Sequence, residues 1–193
     1  MTHLAAISAG VYSDLAFSVE SVSSASIPAD FTAWSALFTT ELALGSAVTS
    51  ATGEYRRIKN VREFPSLGTP ANIVNVPVYG QDISVQVQGQ ADAPTIEITL
   101  NYVPSEWRDA ANYLGNLVGK NTQYAFRFTL LNDKPATYNS NAAGLGAVAN
   151  SQWFWIGRIE ALVVNPQLTD AITATLTLST QTDFYGAFTS DPA

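Results

Sequence analysis

Few side chains in this sequence are equipped for chemistry. His3 is the single histidine, so a histidine-centred triad or metal site has almost nothing to build on. There is no cysteine, which removes thiolate metal sites and a disulfide framework. The carboxylates are dispersed. Asp82 and Asp92 flank opposite ends of one alternating stretch, and Glu97 lies on the polar side of the next. A glycosidase pair, with carboxyls about 5–10 Å apart, would have to be gathered from distant segments. Gly144-Leu145-Gly146 is too short a fragment, in the wrong context, for a phosphate loop. Trp107, Trp153 and Trp155 could stack against a sugar, but Trp107 fits a helix stripe and the other two share one side of an apolar strand. Burial in a core is the better reading of all three. The expectation is a protein that is not an enzyme and uses no cofactor or metal.

Positive charge is concentrated in one place. Arg56, Arg57, Lys59 and Arg62 supply four of the nine basic residues within seven positions. Such a cluster can touch nucleic acid, pair with acids on a neighbouring subunit, or simply be a solvated strand face. Nucleic-acid binding is disfavoured by the formal net charge of −7 and by the lack of interleaved aromatics. A polyanion would pass such a surface without adhering to it.

The 193 residues are enough for one domain with a real core. Charged residues make up 13%, against roughly 25% in typical soluble proteins. Either other subunits cover much of the surface, or Ser, Thr, Asn and Gln keep it wet. The first Lys or Arg is Arg56, so the basic start of a signal peptide is missing. No apolar run approaches the roughly 20 residues of a membrane-spanning helix. The expected setting is a cytoplasm, or a particle assembled there.

The elements that must position these residues follow from periodicity. Ile83, Val85 and Val87 alternate with Ser84, Gln86 and Gln88; Ile96, Ile98, Leu100 and Tyr102 alternate with Thr95, Glu97, Thr99 and Asn101. Each is a strand with one dry and one wet face, and Gly89–Pro94 reads as the turn joining the two. Strands are also expected at Leu15–Glu20, Tyr55–Val61, Ile73–Tyr79 (with Pro77 as an edge or bulge), Tyr124–Leu131, Trp153–Val164 and Ala171–Thr180. Asp30 can cap a short helix or arm bearing Phe31, Trp34, Leu37 and Phe38. Ser105 caps the main predicted helix, Ser105–Val118, whose stripe includes Trp107, Leu114 and Leu117, before Gly119 stops it. Residues 1–50 read as an arm or additional strands, 132–151 as a long Gly/Ala/Asn-rich loop, and 181–193 as a polar, aromatic tail. The predicted fold is a single mainly β domain, a sandwich or partial barrel with one packed helix.

The order of these pieces resembles a known family. Tyr55-Arg56-Arg57-Ile58-Lys59-Asn60-Val61 leads into Phe64-Pro65-Ser66-Leu67-Gly68, then a strand ending near Asp82 and a Gly89-bearing turn. Ile96-Glu97-Ile98-Thr99-Leu100-Asn101-Tyr102, a helix, an aromatic strand, Trp153-Phe154-Trp155-Ile156-Gly157-Arg158-Ile159 and a Thr-rich closing strand after Asp170 complete it. The arrangement, over about residues 54–185, is similar to the major tail tube proteins of bacteriophages with long, non-contractile tails. Val76-Pro77-Val78 and the length of the 132–151 loop depart from the family pattern.

The resemblance implies six-membered rings stacked into a tube, with inner sheets joined edge to edge into a shared barrel. The lumen would hold a tape-measure protein and later pass double-stranded DNA without tight binding. Tail terminator and tail tip proteins would be further partners, with no membrane involved; the location would be the virion tail, assembled in the host bacterial cytoplasm. On this reading Asp82, Ser84, Gln86, Gln88, Asp92, Glu97, Thr99, Asn101, Thr173, Thr175 and Thr177 line the lumen. Arg56, Arg57, Lys59 and Arg62, with Phe64, Pro65 and Leu67, are candidate contacts between subunits. Trp107, Leu114 and Leu117 pack the helix on the dry face. Competing readings are a β-sandwich carbohydrate- or receptor-binding module and a head–tail joining protein.

Overall fold

The computed structural model describes residues 13–43, 46–49, 52–64, 66–68, 73–80, 82–89, 94–104, 113–130, 151–167 and 170–189. In chain order the elements are β1 (Asp14–Ser21), α1 (Phe31–Ser35) running into a 3-10 turn (Ala36–Phe38), β2 (Thr40–Glu41), β3 (Glu54–Arg57), β4 (Val61–Glu63), β5 (Ile73–Val76), β6 (Val85–Gln88), β7 (Thr95–Asn101), α2 (Leu114–Leu117), β8 (Tyr124–Leu130), β9 (Ser151–Asn165), β10 (Thr173–Thr180) and β11 (Tyr185–Thr189). The main sheet runs β2-β3-β1-β8-β9-β10-β7-β4, with β11 also on β9; β5 and β6 form a separate two-stranded sheet. The fold is mainly β with short helices, and the sheet does not close into a barrel.

Alternation along the central strands makes two cores, one on each side of the sheet. Leu15 and Phe17 of β1 register with Phe128 and Phe126 of β8, which register with Trp153 and Trp155 of β9. This row continues through Ile159, Leu176 and Leu178 to Ile96, Ile98 and Leu100, and Leu114 and Leu117 of α2 pack into it. Phe126 stacks on Trp155 with centroids 5.6 Å apart. On the opposite side Ala16, Tyr55, Ala125, Phe154 and Ile156 meet Trp34 and Phe38. Here Asp30 caps α1 as its sequence predicts, accepting a 2.8 Å hydrogen bond from Ala33 N–H. Phe31 and Phe188, from α1 and β11, close over Phe154.

Three elements differ from the sequence reading. β6 does not return on β7 through the Gly89–Pro94 segment; it pairs with β5, while β7 pairs with β10 and β4. Alternation names a strand's faces but not its partner. The Ala174–Leu176–Leu178 row of β10 opposes Leu100–Ile98–Ile96 residue for residue, and that match decides the pairing. The expected single strand Tyr55–Val61 is broken at Asn60, whose φ of 62° turns the chain between β3 and β4. The expected tail contains β11, held on β9. Of the predicted helix Ser105–Val118, α2 is the part within the described residues; Trp107, with the rest of 105–112, lies outside them, as do 131–150.

Gly157 has a steric reason for its place in the aromatic strand. A Cβ there would lie 2.7 Å from the Ser179 carbonyl oxygen and 3.4 Å from the Phe126 ring. Backbone oxygen cannot rotate away, so β9 and β10 would have to part. Gly157→Ala should cost about 1–3 kcal/mol, the usual range for overpacking, read as a lower urea midpoint with unchanged slope.

Candidate functional site: a bare polar sheet face and a buried ion cluster

The second core covers only half of its side of the sheet. β9 has 15 residues, and β8 pairs only with its Ser151–Gly157 portion. Beyond that point β9 carries β10 and β7 alone. Across these three strands Glu97 registers with Thr177 and Ala161, Thr99 with Thr175 and Val163, and Asn101 with Thr173 and Asn165. All nine side chains are half-buried or exposed, whereas Ile96, Ile98, Leu100, Leu176 and Leu178, which alternate with them on β7 and β10, lie in the first core. The face is wet because every outward position on β7 and β10 is Thr, Ser, Asn or Glu. Asn165 Nδ2 donates to Thr175 Oγ1 at 3.1 Å, and Ser179 Oγ donates to Glu160 at 2.6 Å. Glu160 sits where the β9–β10 register shifts, a bulge that turns its carboxylate outward.

Both margins of this face are open. Among the described residues no strand pairs with Thr95–Ile98 on the side away from β10, and none pairs with Ala161–Asn165 on the side away from β10. The charges on the face are Glu97 and Glu160, with Arg158 at its rim. Arg158 lines an open polar recess of about 480 Å³ with Ser21, Val22, Ser23, Asn121, Thr122 and Gln123. No group of three or more His, Cys, Asp or Glu able to hold a metal occurs among the described residues.

The proposed lumen set is therefore divided. Glu97, Thr99, Asn101, Thr173, Thr175 and Thr177 come together on the bare face. Ser84, Gln86 and Gln88 lie on the separate hairpin, Asp82 is exposed near its tip, and Asp92 is outside the described residues. Val85 and Val87, expected on a dry face, are about half exposed, and Ile83 is 81% exposed.

The basic cluster divides too. Arg56 and Arg57, expected at a contact between subunits, lie inside the chain at 4% and 6% exposure. β3 pairs with β1, which carries both arginines into covered positions. Arg56 lies over the Tyr113 ring, 5.1 Å from its centroid. Arg57 meets Asp14 at 3.5 Å and Glu41 at 3.4 Å. Arg127, fully buried, approaches the same Asp14 at 3.4 Å and lies against the adjacent Phe38 and Tyr55 rings, 4.9 Å from each centroid. Burial opposes the Arg57 charge, but Asp14 and Glu41 outweigh it and raise its pKa. Lys59 remains exposed and only loosely approaches Glu41, at 3.9 Å. Arg62 pairs at the surface with Asp170 at 3.3 Å. The Ala171 N–H, followed by Arg62, holds the Asp170 carboxyl below the usual range. Phe64 packs edge-on against Phe128 at 5.1 Å, and Leu67 joins the first core; Pro65 is outside the described residues. Trp153 and Trp155 belong to the first core and make no sugar platform.

The sequence reading passed over Asp14, Glu41 and Arg127. The available signal was Arg127 itself, an arginine inside the aromatic run Tyr124-Ala-Phe-Arg-Phe. A charge there must be paired, because an isolated one is too costly to bury. Asp14→Ala removes the carboxylate shared by two buried guanidiniums. It should cost about 3–5 kcal/mol in urea unfolding, whereas Lys59→Glu, at the surface, should stay within about 0.5 kcal/mol.

No family model matches the sequence, and no curated protein matches it. A solved structure does share its fold. A chain of the anti-feeding prophage (AFP) baseplate, determined by cryo-EM with 6-fold symmetrisation, superposes with a TM-score of 0.51 at 10% identity, covering 68% of this chain and 82% of that one. The PVC sheath/tube terminator of an extracellular contractile injection system, in its extended state, gives 0.48 at 10% identity, covering 68% and 88%.

Proposed function

We propose that this chain is a structural subunit of a phage-tail-like particle, in which copies join side by side so that their bare sheet faces form the wall of a channel. The observation that carries this reading is the β9–β10–β7 face, polar, uncovered and bounded by two open strand edges. Open edges are a liability in a monomer and are removed when a sheet closes with its neighbours. The fold it shares with a chain of the AFP baseplate supports a place in such a particle, and the resemblance to non-contractile tail tube proteins supports the tube within it. Rings of this kind, six-membered in the family it resembles, would stack and pass DNA. A wall of Thr and Asn with Glu97 and Glu160 repels phosphate weakly, and its one cation among the described residues, Arg158, stands at the rim. A tape-measure protein in the lumen and terminator and tip proteins at the ends are the partners this role requires. The role is mechanical, without catalysis or cofactor.

Purified protein at high concentration should form rings or tubes by negative-stain electron microscopy. A monodisperse monomer at every concentration overturns the assembly reading. Thr99→Lys, Thr175→Lys and Thr177→Lys together should convert the assembled wall from DNA-indifferent to DNA-retaining. That retention should be lost steeply as salt rises; rings that ignore DNA after this change count against the channel wall.

A further inference from the structure

The β5–β6 hairpin has an apolar face that nothing in the described chain covers. Its register sets Val74 opposite Val87 and Val76 opposite Val85 on one side, and Ile73 opposite Gln88 and Asn75 opposite Gln86 on the other. The first side is four valines, with exposed Val78 and Ile83 beyond them toward the tip. The ribbon bonds to no strand of the main sheet. A lone two-stranded ribbon is marginally stable in water, and β-branched apolar residues stabilise one only where something packs against them. These six side chains expose on the order of 500 Å² of surface, a large share of the roughly 800 Å² that each partner of a stable interface buries.

We propose that this valine face docks on a second copy of the same chain, at the outer end of its β9–β10 pair. The inference rests on the self-assembly reading above and names one surface for it. Apart from the hairpin, the exposed large aliphatic residues among those described are Ile27, Val163, Val164 and Ile172. Two of the four, Val164 and Ile172, share one side of the sheet at that end, while Val163 lies on the other with Thr175. Val164 registers with Ala174, Ile172 lies two residues before Ala174, and the Tyr102 N–H donates to the Ile172 carbonyl. Charge does not oppose the contact. Asp82 is the one charged residue from 73 to 89, whereas the receiving end carries the half-exposed guanidinium of Arg62, bonded to Asp170 beside Ala171. Donor and acceptor are different surfaces, so the contact is head-to-tail. It closes into a ring or continues as a filament, according to the rotation between copies.

Two variants test this. Val85→Asp/Val87→Asp destroys the donor, and Val164→Asp/Ile172→Asp destroys the acceptor; circular dichroism and melting verify that each folds. Each alone should stay monomeric in sedimentation velocity where wild type associates. Mixed, they should form a one-to-one dimer and nothing larger, because one good donor meets one good acceptor. A mixture that stays monomeric overturns the pairing of these two surfaces, as does a donor variant that assembles like wild type. In the latter case the assembly reading stands, since only the hairpin contact has failed. If an aspartate pair unfolds the chain, Val85→Thr/Val87→Thr, close in shape, replaces it, and association at least about tenfold weaker than wild type is the required result.

Discussion

The β9–β10 ladder is the constraint on which the rest of the structure depends. β9 is 15 residues long, about 50 Å at the rise of an extended strand. Among the described residues its first half is covered on both sides and its second half on one. Because β8 begins opposite Gly157 and runs back to Ser151, β9 has to hold β10 and β7 beyond the reach of α1 and β11. Cover on one side and none on the other is thus a matter of relative strand length. Gly157, where the two halves meet, lets β10 and the Phe126 ring approach closely enough for the first core to run through without a gap.

On the same side of the sheet as the bare face, next to the second core, the chain gathers four charged side chains in its interior. Asp14, Glu41, Arg57 and Arg127 gather near the 3-10 turn, with the Phe38 and Tyr55 rings against Arg127. The cluster holds four of the 25 charged side chains (9 basic, 16 acidic), and surface charge is sparse because the whole chain is only 13% charged. What the surface has instead are hydroxyls, amides and aliphatic patches. A buried ion cluster is weak evidence for stability; here its clearer effect is to make the β1–β3–β8 register specific, since a one-residue slip would leave guanidiniums without carboxylates.

The unpaired strand edges and the valine face of the hairpin share a physical character. Each is a surface that an isolated chain would be expected to protect, with charge, a bulge or a covering loop. One such protection is visible, the outward carboxylate of Glu160 at its bulge. Among the described residues the other edges and the valines carry no such protection.

Much of this was legible in the sequence, because alternation is a local property. The faces of β7 and β10, the strands β8 and β9, the Asp30 cap and the burial of Leu114 and Leu117 follow from the spacing of apolar residues a few positions apart. The sequence alone determined a mainly β domain with a polar, unreactive face at Glu97–Asn101 and Thr173–Thr177. It could not determine partners. Ser84, Gln86 and Gln88 carry the same period as Thr95–Asn101, yet β6 turned to β5 because β10 offered β7 a better-matched apolar row. Arg56 and Arg57 look like surface charge in a linear reading. Only the pairing of β3 with β1 brings them under cover, Arg57 to Asp14 and Glu41 and Arg56 to Tyr113. Strand pairing, and with it burial, depends on residues far apart in the chain, so tertiary structure alone decided which wet face is shared and which charges lie inside.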